Sequence, residues 1–177
     1  TPSLASVDTV MHHFGFKLRD IDKFITKWED AGLEMGPIFP GAEGYTNAYV
    51  TLPGGVEVEL QEDQSLHREF TGYHIHYSAE AYEELLNWYN TMFDLETQAR
   101  GTIGSATNVP GMNMSFGQLG DRPFVLGDGP FAATQGTAID HVGFEVENLE
   151  AFCRELEAKG IVFDKPYHWI SELGVYS

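Results

Sequence analysis

The chain has 177 residues, enough for one ordinary domain or two small ones at about 100 to 200 residues each. Its 27 Asp and Glu against 10 Lys and Arg leave a net charge of −17. That charge repels a phosphate backbone or an anionic membrane, so neither is an expected partner. Hydrophobic residues at 42% are too abundant for a disordered acidic chain, and no stretch approaches the roughly 20 apolar residues of a membrane span. The single cysteine, Cys153, excludes an internal disulfide and a Cys-rich zinc site and reads as a small helical core residue. Opening at Thr1 rather than Met leaves the compartment open, the cytoplasm being preferred to secretion or the periplasm.

Three stretches start with the same pattern, near residues 12, 73 and 140. HHFGFKLRDIDKF in the first and DHVGFEVENLEAF in the third align at a constant offset of 128 residues, placing His13, Gly15 and Phe16 opposite His141, Gly143 and Phe144. The register persists to Gly32 and Gly160, where a helix C-terminus wants glycine. The second stretch, YHIHYSAEAYEELLNWYNTMFDLE, aligns at an offset of 61, with His74 opposite His13, but lacks the glycines.

The first stretch reads as an alternating strand and then a helix, on which Ile21, Phe24, Ile25 and Trp28 recur at spacings of three and four. Strands are expected at residues 34–39, 45–52 and 56–61, the last two joined by a Pro53-Gly54-Gly55 turn. The unit is βαβββ, over residues 8–66. A second, degenerate module spans 71–136, with short strands at 112–116 and 123–126. Met112, Met114 and Phe116 stand there as core or as the apolar floor of a pocket. Its Gly-rich run from Gly101 to Gly136 is either a linker or a loop system over a cavity mouth. A third, incomplete module spans 137–177, with a strand at its start, a helix over 149–159 and a strand around Val162.

An HxGF strand, a helix, a glycine and a hairpin ending in VEVEL together resemble the vicinal oxygen chelate superfamily, the glyoxalase, bleomycin-resistance and extradiol-dioxygenase group. The resemblance implies an α+β fold in which βαβββ modules pair into half-open curved mixed sheets with helices outside. It further implies a divalent metal held by histidines on first strands and glutamates on fourth strands. Carried over residue by residue, the ligands are His13, His74 and His141, with Glu59 as the fourth-strand glutamate, a ligand that also shuttles a proton. The spacing from His13 to Glu59, repeated from His74, lands on Gly120, and the second module offers only Gln118, Asp121 or Asp128 nearby. The four-ligand set of a glyoxalase I is therefore incomplete.

Imidazoles and a carboxylate suit Zn²⁺, Fe²⁺, Ni²⁺ or Mn²⁺. Strand alternation points His12 away from His13, whereas His76 shares a face with His74 as a substitute ligand. Glu57 is expected solvated at the rim, Glu62 on the surface, and His67 and His168 exposed. The resemblance leads to a metal-dependent lyase or isomerase acting on a small substrate with vicinal oxygens. A ring-cleaving non-haem iron dioxygenase and a metal-free binding or resistance protein are the alternatives. An odd number of modules leaves an unsatisfied sheet edge, so a homodimer is expected.

Overall fold

The computed structural model describes residues 5–117 and 131–177, which form two compact units, residues 1–141 and 142–177. In the first unit a short 3-10 turn, Ser6–Asp8, precedes β1 (Met11–Leu18), α1 (Ile21–Asp30), β2 (Ile38–Pro40), β3 (Thr46–Leu52) and β4 (Val56–Glu62). There follow β5 (Phe70–Ser78), α2 (Tyr82–Phe93), β6 (Ala106–Val109) and β7 (Met112–Gly117). All seven strands join one mixed sheet in the order β2-β3-β4-β1-β5-β7-β6. β1 runs parallel to β4, β5 runs parallel to β7, and β1 and β5 meet antiparallel at the centre. The fold is α+β, with the helix-containing halves sharing one sheet.

Period-two alternation sorts the side chains of this sheet. Leu18, Ala48, Val50, Val58 and Leu60 form one core cluster with Ile21 of α1, against which Phe14, Phe16, Phe24 and Trp28 pack. The helix starts where the Asp20 carboxylate accepts from Lys23 N at 2.8 Å. It stops at Gly32, whose φ of +75° suits a residue without a Cβ. In the other half, Tyr77 stacks on Phe116 at 5.0 Å and both rings meet Tyr89 of α2.

The opposite face is polar, and two bulges shape it. Met11 pairs with Tyr77 but His13 pairs with His76, leaving His12 as the extra residue on β1. Gly15 pairs with His74 but Phe16 with Gly72, leaving Tyr73 as the extra residue on β5. The expectation that His12 points away from His13 is corrected here: alternation fails across a bulge, and His12 Nδ1 lies 2.8 Å from His13 Nδ1.

Other elements differ from expectation. The strand expected at 34–39 is reduced to β2, since Pro37 donates no N–H, although Gly36 N still reaches Tyr49 O at 2.8 Å. Part of the Gly-rich run is the β6–β7 hairpin, turning at Gly111 with φ +85°. The strand expected at 123–126 lies outside the described residues. The second unit contains α3 (Leu149–Ala158) and a small hairpin of β8 (Trp169–Ile170) and β9 (Val175–Tyr176). Asn148 caps α3 by accepting from Ala151 N, and Gly160 takes φ +94° behind it. Cap and glycine thus repeat Asp20 and Gly32 of α1 at the same offset. Neither strand expected at the start of this stretch or around Val162 forms, because neither has a ladder partner among the described residues to take its backbone groups.

Leu60 is buried in the α1 cluster. Leu60→Ala should lower unfolding stability by about 2–5 kcal/mol, read as a denaturation midpoint shifted at constant slope.

Candidate metal centre

The polar face carries His13 on β1, Glu59 on β4 and His74 on β5 in its middle, and all three are buried. The parallel register sets Glu59 beside Gly15, two residues beyond His13, so histidine and carboxylate reach across from adjacent strands. His13 Nε2 lies 3.1 Å from Glu59 Oε2 and 3.2 Å from His74 Nε2, and His74 Nε2 lies 3.8 Å from the same carboxylate oxygen. Gly15 makes room: a Cβ there would stand 2.6 Å from His74 Cε1.

A second ring of groups holds the first. Tyr49 Oη, directly across the hairpin on β3, donates to Glu59 Oε2 at 2.7 Å, and Asn47 Nδ2, two residues along the same strand, donates to Oε1 at 2.6 Å. His12 meets the far nitrogen of His13. His76 stacks on His13 with centroids 4.9 Å apart, and nitrogens of His13, His74 and His76 lie within 4.8 Å of one another. Burial opposes ionisation of Glu59. The charges of His74 and His13 and the hydrogen bonds from His13 and Tyr49 outweigh it and hold the carboxyl well below its usual range.

These donors fit a divalent cation. Ligand atoms about 2.1 Å from a common ion are separated by about 3.0 Å at right angles and about 3.4 Å at tetrahedral angles. The two imidazole nitrogens and the carboxylate oxygen are spaced by 3.1, 3.2 and 3.8 Å, close to that range. Neutral imidazole and carboxylate are the ligand types such ions take.

His141 does not join the cluster: its side chain is 81% exposed and its Nδ1 lies 2.7 Å from Asp140 Oδ1. Gln118, Asp121 and Asp128 lie outside the described residues. The position matching Glu59 in the second half can be read from register, because His74 pairs with Asn113 and His76 with Ser115 as His13 pairs with Glu57 and Gly15 with Glu59. Ser115 therefore stands where a second carboxylate would, and its hydroxyl accepts from Arg100 Nε at 3.1 Å. Glu57, expected at a solvated rim, is buried, with Thr51 Oγ1 donating to its carboxylate and its own backbone N–H bonded to Ser6. Tyr49, Asn47, Ser115 and Arg100 were not anticipated. For the first two a signal exists, since the hairpin centred on Gly54 places residue 49 opposite 59.

Gly15→Ala should displace the His74 ring and lower the melting temperature without unfolding the sheet, read as shifted His74 ring resonances in NMR. Because the folded Glu59 pKa is depressed, its contribution to stability is complete above the unfolded value of about 4.3. It is lost as pH falls through the lower folded value. Urea titrations of metal-free protein between pH 7 and 3 should therefore show a steeper acid loss for wild type than for Glu59→Gln.

A family model described as Glyoxalase/Bleomycin resistance protein/Dioxygenase superfamily matches residues 73–169. No curated protein matches the chain. Among solved structures, methylmalonyl-CoA epimerase from Mycobacterium tuberculosis is similar at 14% identity and a TM-score of 0.45, over 62% of this chain and 89% of that one. Glyoxalase I from Zea mays gives 14% identity and a TM-score of 0.43, over 59% and 41% respectively. A superfamily member from Vibrio splendidus 12B01 gives 19% identity and a TM-score of 0.38, over 60% and 96%. With the family match covering more than half of its length, the chain belongs to the glyoxalase/bleomycin resistance protein/dioxygenase superfamily.

Proposed function

We propose that the protein is a metal-dependent enzyme acting on a small substrate with two adjacent oxygens, as a lyase or isomerase, with His13, His74 and Glu59 as its metal ligands. The observation that carries this reading is the spacing of His13 Nε2, His74 Nε2 and Glu59 Oε2. A divalent cation held there supplies Lewis acidity toward the paired substrate oxygens. The chain's own residues supply the rest. Asn47 and Tyr49 fix the Glu59 carboxylate from the β3 side, so that its oxygens are held in place for the ion and for a proton moved on the substrate. His12 Nδ1 meets the far nitrogen of His13, Nδ1, and steadies the ring with Nε2 facing Glu59.

One observation favours a second reading. With Ser115 in place of a second carboxylate, two imidazoles and one carboxylate remain, the donor set of non-haem iron oxygenases. That set supports a ring-cleaving dioxygenase, in which no second carboxylate is needed.

Metal analysis of protein purified without chelator or His tag tests both. One equivalent of divalent metal is expected in wild type, falling to less than a tenth in His13→Ala, His74→Ala and Glu59→Gln with far-UV circular dichroism unchanged. Oxygen uptake with catechols selects the dioxygenase, and its absence alongside bound metal selects the lyase or isomerase. No metal in wild type after reconstitution overturns both in favour of a metal-free binding protein.

A further inference from the structure

Arg100 is the only lysine or arginine between Arg68 and Arg122, yet it is 6% exposed, on the polar face of the sheet. Its position is built. Gly101 takes φ +57° and packs so tightly on the Ala42 carbonyl that a Cβ would collide with it, and Thr102 N donates to the same carbonyl at 3.0 Å. The guanidinium donates from Nε to Ser115 Oγ and from Nη1 to Tyr73 Oη, the residue the β5 bulge turns onto this face. Nη2 is buried and makes no hydrogen bond. Glu43 Oε2, at 4.0 Å from Nη1, is beyond hydrogen-bond reach and is already taken up by Tyr73 Oη and Gln61 Nε2. A buried guanidinium with an unbonded nitrogen and its nearest carboxylate only at ion-pair distance is costly, and a ligand anion would relieve it.

Arg100 lines a cavity of about 430 Å³ together with Lys17, Glu43, Tyr73 and Asn113. Lys17 Nζ and the Arg100 guanidinium both lie over the Tyr73 ring, at 4.7 and 4.9 Å from its centroid. Lys17, Arg100 and Glu43 are the charged residues of the wall, and Lys17 Nζ is also paired with Asp63 Oδ2 at 3.4 Å, which leaves the Arg100 guanidinium as the cation without a hydrogen-bonded carboxylate. The Tyr73 ring meets the His74 ring edge-on at 4.6 Å, so the cavity adjoins the candidate metal centre.

We propose that this cavity binds the carboxylate of a small organic acid, with Arg100 and Lys17 as its cationic partners. A planar guanidinium with free donors matches a carboxylate. Beside Glu43 and Asp63 a monoanion adds less like-charge repulsion than a phosphoryl dianion, which favours the carboxylate. Taken with the proposed function, the substrate becomes a carboxylic acid that also bears adjacent oxygens. That last step rests on the metal-centre reading, while the anion site does not.

The test uses the full chain stripped of metal, titrated at constant ionic strength with sodium glycolate and with methyl phosphate and followed by ligand-observed NMR. Glycolate should bind wild type, at least tenfold more weakly to Arg100→Gln, at least threefold more weakly to Lys17→Gln, and unchanged to the surface control Lys27→Gln. If Arg100→Gln does not fold, Lys17→Gln decides. No glycolate binding by wild type, equal binding by both cavity variants, or a tenfold preference for methyl phosphate would overturn the proposal. Metal stoichiometry of Glu59→Gln is read separately, so failure of the anion site and failure of the metal centre cannot be confused.

Discussion

A carboxylate that is 1% exposed sits in the middle of a mixed sheet, and much of the polar face is organised around keeping it ionised. Left alone, Glu59 would take up a proton, since desolvation penalises the charged form. Instead β3 brings two hydrogen-bond donors to one side and β1 and β5 bring imidazoles to the other. Such a cluster is expensive to bury and adds little to stability beyond what an apolar replacement of the same shape would give. Its retention in a sheet whose opposite face is an ordinary apolar core points to chemistry rather than to folding.

The backbone makes that concentration of polar groups feasible. Two bulges on the central β1–β5 pair each turn one residue onto the polar face, His12 at one end and Tyr73 at the other. Between them Gly15 leaves the space into which the His74 ring settles. The same bulge that delivers Tyr73 also provides the ring on which Lys17 and Arg100 converge. Cations and a metal-type ligand set are thereby separated by a single aromatic residue. Opposite charges can then be handled at adjacent positions without direct contact between Arg100 and Glu59.

Much of this was legible in the sequence. The helix register was, because caps, apolar stripe and terminal glycine all obey local rules, and the offset that pairs Asp20 with Asn148 also pairs Gly32 with Gly160. The repeat register aligned His13 with His74, and the resemblance to the superfamily singled out Glu59 on the fourth strand. What failed depended on nonlocal geometry. Bulges shift alternation without any marker in the residues that bear them, which hid His12. In the second half the counterpart of β2 shrinks to a single bridge from Thr97 to Thr107, and the stretch from His74 to its matching fourth-strand position is five residues shorter than in the first half. Ser115 therefore occupies the place sought around Gly120. The stretch beginning at His141 carries the strand pattern of the first, yet pattern alone cannot supply the neighbouring strand that a ladder requires.

The central claim is that His13, His74 and Glu59 bind one divalent ion together. X-ray absorption spectroscopy on metal-reconstituted protein tests it most directly, comparing wild type with His74→Ala. The account predicts nitrogen and oxygen ligands at about 2.0–2.2 Å, with multiple-scattering features of at least two imidazoles in wild type and one fewer in His74→Ala. A metal shell without imidazole scattering, or one identical in the two proteins, would contradict it.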